Sequence, residues 1–279
     1  MLKYLAAVAL VATTLAPVSG SPAQAAPLGV PAVAAVDFTG TVKLSNCSGS
    51  VVKPPSAGVN DKALVLSNGH CYEGGFLDPG EVLVNRTSSR TFGLLSANGQ
   101  STVATLRASK LAYATMTDTD ITLYQLTSTY AQIQAQYGIK PLTLSAAHPT
   151  RGTAIRVVSG YWKKIYSCQV DGFVNQLHED NWVWRDSVRY STPGCEVIGG
   201  TSGSPVIDAS TGAVVAVNNT INESGQRCTL DNPCEVDASG NITVRQGVGY
   251  AEETYLINTC VDTGNVINLN KAGCALPKP

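Results

Sequence analysis

Short runs of β-branched and apolar residues, separated by turn-forming residues, recur along most of this chain of 279 residues. Between Phe38 and Leu126 they lie at 41–44, 50–53, 63–67, 81–85, 91–95, 102–107 and 121–126. From position 153 on they lie at 153–159, 164–170, 181–190, 204–208, 213–218 and 247–251. Asn68-Gly69 and Asp78-Pro79-Gly80 are typical of the turns between them. The pattern predicts an all-β fold, a small antiparallel barrel or sandwich in each half.

Charged residues make up only 14% of the chain, against about 25% in ordinary globular proteins. The 19 Lys and Arg residues are matched by 20 Asp and Glu residues, which gives a formal net charge of −1. Proteins that bind a phosphate backbone use a surplus of basic residues to displace its counterions. We therefore expect no nucleic-acid partner.

The N-terminus has the three parts of a secretory signal peptide. Lys3 supplies the positive charge, residues 4–16 form an apolar segment, and Ala23-Gln24-Ala25 matches an A-x-A cleavage site. The apolar segment is shorter than the roughly 20 residues that cross a bilayer. We expect residues 1–25 to be a signal peptide, residues 26–36 to be an N-terminal extension or short propeptide, and the protein to be secreted into the extracellular medium with no membrane partner.

Residues 128–136 interrupt the strand pattern with helix-tolerant residues and end at Tyr137-Gly138, which predicts a short helical connection. Such a connection suggests two halves, at 37–127 and 146–279, joined by a linker at 128–145. The run from Glu252 to Cys260 is interpreted as a short C-terminal helix.

Eight cysteines are an even number, which in an exported chain indicates up to four disulfides. Sequence alone allows 105 connectivities. Pairing neighbours along the chain gives Cys47 with Cys71, Cys168 with Cys195, Cys228 with Cys234, and Cys260 with Cys274. The chain has no C-x-x-C pair and its three histidines are far apart, so we expect no structural zinc site, no other metal and no cofactor.

Three short motifs carry residues suited to nucleophilic catalysis. His70 follows the apolar run 63–67 and precedes Cys71, Asp120 opens the run 121–126, and Ser202 lies in Gly199-Gly200-Thr201-Ser202-Gly203-Ser204-Pro205. Asp118 and Ser204 are the rivals of Asp120 and Ser202, but Asp118 fits a solvated turn and Ser204 precedes a proline. His148 and His178 are interpreted as surface or turn residues.

The order of these residues excludes two classes of hydrolase. An α/β-hydrolase has its histidine after the nucleophile, and no histidine follows Ser202. The subtilisin order of acid, histidine and serine occurs in parallel α/β proteins, whereas this chain lacks alternating helices.

The ordered motifs Ser45-Asn46-Cys47-Ser48-Gly49-Ser50, Gly69-His70-Cys71, Asp120-Ile121-Thr122-Leu123 and Gly200-Thr201-Ser202-Gly203-Ser204-Pro205 resemble those of chymotrypsin-type, trypsin-like serine proteases, in particular the secreted bacterial branch. The resemblance covers about residues 38–260. It implies two perpendicular antiparallel six-stranded β-barrels with the site between them. It also implies a disulfide between Cys47 and Cys71.

By this resemblance, Ser202 is the nucleophile, His70 the general base and then acid, and Asp120 the carboxylate that orients the histidine. The amides of Gly200 and Ser202 form the oxyanion hole. For substrate binding, Glu196 resembles an acidic pocket floor that favours Arg or Lys, and Asn218 and Asn219 resemble the strand that pairs with the substrate backbone.

Two departures from the family pattern concern activation and specificity. Thr201 stands where trypsin has the Asp that pairs with a newly formed N-terminus, so we expect activity without that ion pair. Cys195 lies seven residues before Ser202 instead of four, which indicates a rearranged loop around Glu196.

The sequence therefore predicts a secreted, monomeric serine endopeptidase that acts on protein or peptide substrates through an acyl-enzyme. Two alternatives stay open. One is a protease-like binding module without turnover, and the other is an esterase that uses the same triad.

Overall fold

The computed structural model describes residues 35–191 and 195–279. The expected signal peptide and most of the expected extension lie outside the described residues. Neither helix found in the described ranges has the length and apolar character that a bilayer crossing requires.

The first half of the chain forms a closed antiparallel barrel of six strands. Strands β1, β5, β6, β7, β3 and β2 are hydrogen-bonded in that order, and the pairing of β1 with β2 closes the ring. Strand β4 pairs with β6, and β8 adds to β2 in parallel. The strands are β1 (Thr41–Lys43), β2 (Ser48–Lys53), β3 (Lys62–Ser67), β4 (Val82–Arg86), β5 (Thr91–Leu95), β6 (Thr102–Thr115), β7 (Ile121–Thr129) and β8 (Leu142–Thr143).

The second half forms another closed ring, in the order β11, β16, β13, β12, β9 and β10, which the pairing of β10 with β11 completes. A β14–β15 hairpin extends β10, and β17 pairs only with β18. The strands are β9 (Ala154–Ser159), β10 (Lys164–Glu179), β11 (Trp182–Tyr190), β12 (Pro205–Asp208), β13 (Val214–Ile221), β14 (Cys234–Val236), β15 (Ile242–Val244), β16 (Gly249–Glu253), β17 (Val261–Asp262) and β18 (Val266–Ile267).

Two helices complete the described structure: α1 (Tyr130–Tyr137) and α2 (Tyr255–Thr259). The predicted all-β fold, with two six-stranded barrels and a short C-terminal helix, is confirmed. The C-terminal helix begins later than expected, because Glu252 and Glu253 belong to β16. All five residues of β16 are buried between β11 and β13, so strand pairing overrides the helical propensity of the two glutamates.

Helix α1 forms where the sequence predicts a helical connection, and local signals explain its bounds. The hydroxyl of Thr129 accepts a hydrogen bond from the amide of Gln132, and the Gln132 side chain accepts one from the Thr129 amide. This reciprocal pair is a capping box. Gly138 ends the helix with a φ of 71°, a left-handed conformation that glycine adopts at little cost.

The two barrels share buried apolar packing. Leu64 and Leu66 of the first barrel and Val158 and Val217 of the second belong to one contiguous cluster. A separate cluster that includes Val157 and Tyr166 fills the second barrel. Apolar burial on this scale is the main favourable contribution to folding and fixes the barrels against each other.

Four disulfides connect the described cysteines, and they are the four pairs obtained by joining neighbours along the chain. Cys47–Cys71 ties β2 to the segment after β3, and Cys168–Cys195 ties β10 to the loop before β12. Cys228–Cys234 and Cys260–Cys274 close short loops.

The C-terminal segment is attached to the first barrel through Tyr130. The Tyr130 hydroxyl donates to the Val52 carbonyl at 2.7 Å and accepts from Asn265 Nδ2 at 2.9 Å. Asn265 Nδ2 also donates to the carbonyl of Lys62 at 2.9 Å. One buried hydroxyl therefore joins α1, β2 and the β17–β18 hairpin.

Replacement of this hydroxyl tests its contribution to stability. Tyr130→Phe should lower the free energy of unfolding by about 1–3 kcal/mol, because it leaves buried polar groups without a partner. For a protein of this size we expect the melting temperature to fall by about 3–10 °C, measured by circular dichroism. Tyr137→Phe, on the same helix but only half-buried, is the matched control and should leave the melting temperature unchanged. Equal melting temperatures for both variants would contradict this role of Tyr130.

Candidate active site

His70 is held by the tight turn that follows β3. Asn68 and Gly69 form this turn, and a Cβ on Gly69 would lie 2.0 Å from the Thr115 carbonyl oxygen and 2.7 Å from Asp120 Oδ1. Only glycine fits at this distance. The Cys47–Cys71 disulfide constrains the other side of the histidine.

Asp120 is completely buried and contacts His70 twice. Its Oδ2 lies 2.5 Å from His70 Nδ1, and its Oδ1 accepts the His70 amide at 2.9 Å. The side chain of His70 is 19% exposed, so its ring reaches the surface of the cleft. Because Nδ1 faces the carboxylate, Nε2 is the nitrogen available to other groups.

Burial and Asp120 have opposite effects on the pKa of His70. Burial lowers it, but the charge of Asp120 and the hydrogen bond to that carboxylate raise it, with smaller contributions from Glu179 and Asp231. The net result is a pKa above the ordinary value of 6.5.

Ser202 lies on the second barrel, in the loop that leads into β12. Its Oγ donates to the carbonyl of Asn219 at 3.2 Å, and the hydrogen bonds found among the described residues do not join Ser202 Oγ to His70. Its backbone carbonyl accepts the amide of Ser48, on the first barrel, at 2.8 Å. Ser202 and His70 both line one cavity between the barrels.

The glycines around Ser202 shape its loop. Gly203 has a φ of 78°, and a Cβ there would lie 2.1 Å from the Ser48 carbonyl oxygen. Gly200 has a φ of 86°. Among the backbone hydrogen bonds between described residues, the amides of Gly200 and Ser202 are not donors. Neither amide is thus bonded to a backbone acceptor within the described residues.

Asn68, which the sequence motifs did not single out, connects the two barrels beside this site. Its Nδ2 donates to the carbonyl of Asp120 at 2.8 Å, and its Oδ1 accepts the amide of Gly203. The side chain is completely buried. The segments that carry His70, Asp120 and Ser202 are thus fixed to one another through a single amide group. The signal available in the sequence was its position two residues before His70.

The alternatives to the candidate residues have other contacts in the structure. Asp118 is half-exposed and pairs with Arg185, with Nε 2.9 Å from Asp118 Oδ1. Ser204 is buried, and its Oγ donates to the carbonyl of Thr201. His178 lies in strand β10 instead of a turn, and its Nε2 is 2.9 Å from Gln176 Oε1.

The cavity contains two of the three expected substrate-binding residues, Asn218 and Asn219. Among the described residues, Glu196 does not line it and is exposed instead. Three other carboxylates line it: Glu179, Glu223 and Asp231. Its described lining residues include no Lys or Arg, so the cavity is acidic.

Two of the buried carboxylates near the site have a raised pKa. Burial raises the pKa of Glu179 to about 7. Burial likewise raises the pKa of Glu252 to about 8, and the nearby charge of Asp120 adds to the effect. Glu252 Oε1 accepts hydrogen bonds from Ser187 Oγ at 2.9 Å and from Asn219 Nδ2 at 3.0 Å. It therefore supports the strand segment that borders the cavity.

The family model of the trypsin-like peptidase domain matches residues 47–217, which is more than half of the chain. The chain belongs to this family. The matched range of the trypsin-like peptidase domain includes His70, Asp120 and Ser202 and extends across both barrels. No curated protein sequence matches the chain significantly.

Several solved structures are similar to this trypsin-like peptidase domain. The Rv3671c protease from M. tuberculosis in its active form is 16% identical, with 96% of this chain and 97% of that chain covered and a TM-score of 0.48. The MamO protease domain from Magnetospirillum magneticum is 12% identical, with 81% and 98% covered and a TM-score of 0.48.

Proposed function

We propose that this trypsin-like peptidase is a serine endopeptidase whose triad is Ser202, His70 and Asp120. One observation carries the proposal: the buried carboxylate of Asp120 lies 2.5 Å from His70 Nδ1, at the edge of the cavity that Ser202 also lines. A buried carboxylate in this position selects the tautomer with a free Nε2 and stabilises the imidazolium when it forms. These are the two properties that a general base for a serine hydroxyl needs.

In the first chemical step, Ser202 Oγ attacks the carbonyl carbon of the scissile peptide bond while its proton moves to His70 Nε2. The carbonyl oxygen becomes an oxyanion and accepts hydrogen bonds from the Gly200 and Ser202 amides. The imidazolium of His70 then protonates the leaving amine as the carbon–nitrogen bond breaks. The product of this step is an acyl-enzyme on Ser202.

The second step reverses the roles with water as the nucleophile. His70 Nε2 takes a proton from water as its oxygen attacks the acyl carbon, and the same amides stabilise the second oxyanion. The proton on His70 then returns to Ser202 Oγ as the ester bond breaks. The carboxylic acid leaves and the free enzyme is restored.

Ser202 needs one rotation before it reacts. Its Oγ donates to the carbonyl of Asn219, which lies on the strand expected to pair with the substrate backbone. In the proposed mechanism the hydroxyl leaves this carbonyl and donates to His70 Nε2. Catalytic hydrogen bonds commonly tighten only once substrate is bound.

The acidic lining of the cavity supports a preference for cationic side chains in the substrate. Glu179, Glu223 and Asp231 share it with the apolar side chains of Ile198 and Leu230. Such a pocket suits the aliphatic stem and positive head of Lys or Arg. The carboxylate of Glu179, with its raised pKa of about 7, gains its full charge only above that pH.

We also propose that the enzyme is exported to the extracellular medium after removal of residues 1–25. Disulfides form and persist in oxidising compartments, so the four disulfides support this proposal. The enzyme acts there as a monomer, on protein or peptide substrates.

Substitution of the triad tests the mechanism. Ser202→Ala should lower kcat by about 10⁶-fold, because the nucleophile is lost, and Asp120→Asn by about 10⁴-fold, because the histidine tautomer is no longer selected. Hydrolysis of casein measures both effects. Ser239→Ala and Asp118→Asn change an exposed serine and the half-exposed rival acid and should retain normal rates.

Two further measurements separate the alternatives. Labelling of Ser202 by an organophosphonate excludes a binding module without turnover, and faster hydrolysis of a short acyl ester than of casein would favour an esterase. Normal rates in Ser202→Ala would reject the triad.

The pH profile of kcat/KM tests His70 as the base. His70 must be neutral to accept a proton, and its pKa is raised above 6.5, so kcat/KM should fall as the pH decreases through a midpoint above 6.5. In Asp120→Asn the midpoint of the residual activity should move to lower pH, because the charge that raises the pKa is removed. A profile that stays flat down to pH 5 would be incompatible with this assignment.

Digestion of a peptide library, read by mass spectrometry, tests the cationic preference. Lys and Arg should be enriched at one position beside the cleaved bond, and Glu179→Gln should weaken the enrichment at pH 8, because it keeps the shape of the side chain but removes its charge. Glu196→Gln, outside the cavity, is the matched control and should leave the preference unchanged. Cleavage without any preference for cationic residues would refute the proposal on specificity alone.

A further inference from the structure

Strands β11 and β16 place two pairs of polar side chains on opposite faces of the sheet. The strands are antiparallel, with Val188 opposite Ala251. Ser187 donates a hydrogen bond to Glu252, whereas Asp186 and Glu253 both approach His148. Asp186 has a φ of 58°, so the direction of its side chain does not follow the regular alternation of a strand. Glu252 and Glu253 are adjacent in β16, where side chains alternate between the two faces of the sheet.

Two carboxylates beside the same imidazole nitrogen repel each other. The repulsion is strong here because the side chain of Glu253 is only 3% exposed, and burial weakens the screening by water. A positive charge between the two carboxylates would remove this cost.

His148, from the loop between β8 and β9, brings a nitrogen to this position. Its Nε2 lies 2.8 Å from Glu253 Oε1 and 3.1 Å from Asp186 Oδ2. The three ligand atoms all lie within 4.8 Å of one another. Asp186 is half-exposed, which leaves a path from solvent to the cluster.

The buried Glu253 carboxylate has an unused acceptor that points into this cluster. Glu253 Oε1 makes no hydrogen bond of accepted geometry among the described residues, and His148 Nε2 lies 2.8 Å from it. A buried polar atom without a partner is uncommon and indicates an additional ligand.

The other nitrogen of His148 is already engaged. Nδ1 lies 2.6 Å from the carbonyl oxygen of Pro149, which only accepts, so Nδ1 carries the proton. Nε2, the ring nitrogen that faces the two carboxylates, is therefore the nitrogen that can bind a cation. The rings of Phe173 and Tyr255, with centroids 4.4 and 5.4 Å from that of His148, hold it in place. A backbone carbonyl that fixes the tautomer is typical of metal-binding histidines.

We propose that His148, Asp186 and Glu253 bind a divalent transition-metal cation of the zinc class. One imidazole nitrogen and two carboxylate oxygens suit Zn²⁺, whereas Ca²⁺ takes six or more oxygen ligands. With metal–ligand distances of about 2.0–2.2 Å, tetrahedral ligands lie about 3.4 Å apart, so the two contacts of His148 Nε2, at 3.1 and 2.8 Å, would have to lengthen by about 0.3–0.6 Å. None of the three residues lines the cavity with Ser202, so the site serves stability and is independent of the proposed peptidase mechanism.

Zinc binding to the EDTA-treated full protein, measured by isothermal titration calorimetry, tests the proposal. We expect one Zn²⁺ per chain at this site, with Ca²⁺ binding much more weakly. Zn²⁺ at about 100 times its dissociation constant should raise the melting temperature by about 5–10 °C. His148→Ala, Asp186→Asn and Glu253→Gln should each weaken binding by at least about tenfold.

Two control variants separate this site from the other histidines. His70→Ala removes the other His–Asp pair that could hold zinc, and His178→Ala removes a histidine on β10. Both variants should still bind zinc at the proposed site and be stabilised by it. If Asp186→Asn, which changes a half-exposed side chain, folds normally and binds zinc as the unmodified protein does, the proposal is wrong. Absence of zinc binding to the unmodified protein would likewise overturn the proposal.

Discussion

The hydrogen bonds that cross between the two barrels at Asn68 determine the geometry of the site. His70 and Asp120 lie on one barrel and Ser202 on the other, so any sliding between the barrels changes the distance between the proposed base and the proposed nucleophile. The Asn68 amide binds the Asp120 carbonyl with one atom and the Gly203 amide with the other. The bond from the Ser48 amide to the Ser202 carbonyl adds a second crossing. Positioning of this kind is decisive, because a misplacement of about 1 Å can cost 10²-fold in rate.

Burial disfavours charged side chains around the site and strengthens the interactions between those that remain charged. Asp120 has no exposed surface, and its direct partner is His70. Glu252, whose pKa is about 8, is predominantly protonated at neutral pH. Its neutral form adds no second negative charge beside Asp120 and still accepts the bonds from Ser187 and Asn219. Burial lowers the pKa of His70, and among the nearby carboxylates Asp120 raises it most.

Local signals in the sequence were sufficient for the strands of the two six-stranded rings, the first helix and the order of the three candidate residues, but not for the short strands β8, β14, β15, β17 and β18. Gly138 after a polar run marked the end of α1, and Gly69 and Gly203 marked places where a backbone passes closer than a Cβ allows. The four disulfides join neighbours because each closes a local hairpin or loop. In these cases the residues that determine a structural feature lie within a few positions, or within one hairpin, of that feature.

Contacts between distant segments were not accessible from the sequence. Glu196 has the position of a pocket floor along the chain, but the rearranged loop leaves it exposed, and Glu179, from the end of β10, supplies a cavity carboxylate instead. The function of Asn68 depends on Gly203, which is 135 residues away. The cluster of His148, Asp186 and Glu253 joins a loop and two strands, so no spacing rule for metal ligands could reveal it.

Glu252 and Glu253 show why the direction of a strand matters more than residue type in this protein. The two glutamates are adjacent and both buried. The helix expected from the sequence would place them on one helical turn. In β16 they point to opposite faces, one to the segment that borders the cavity and one to His148 and Asp186. Each is surrounded by a different set of partners, Glu252 by Ser187 and Asn219 and Glu253 by His148 and Asp186. The alternation of side chains along β16 therefore assigns one carboxylate to support of the proposed active site and the other to the proposed metal site.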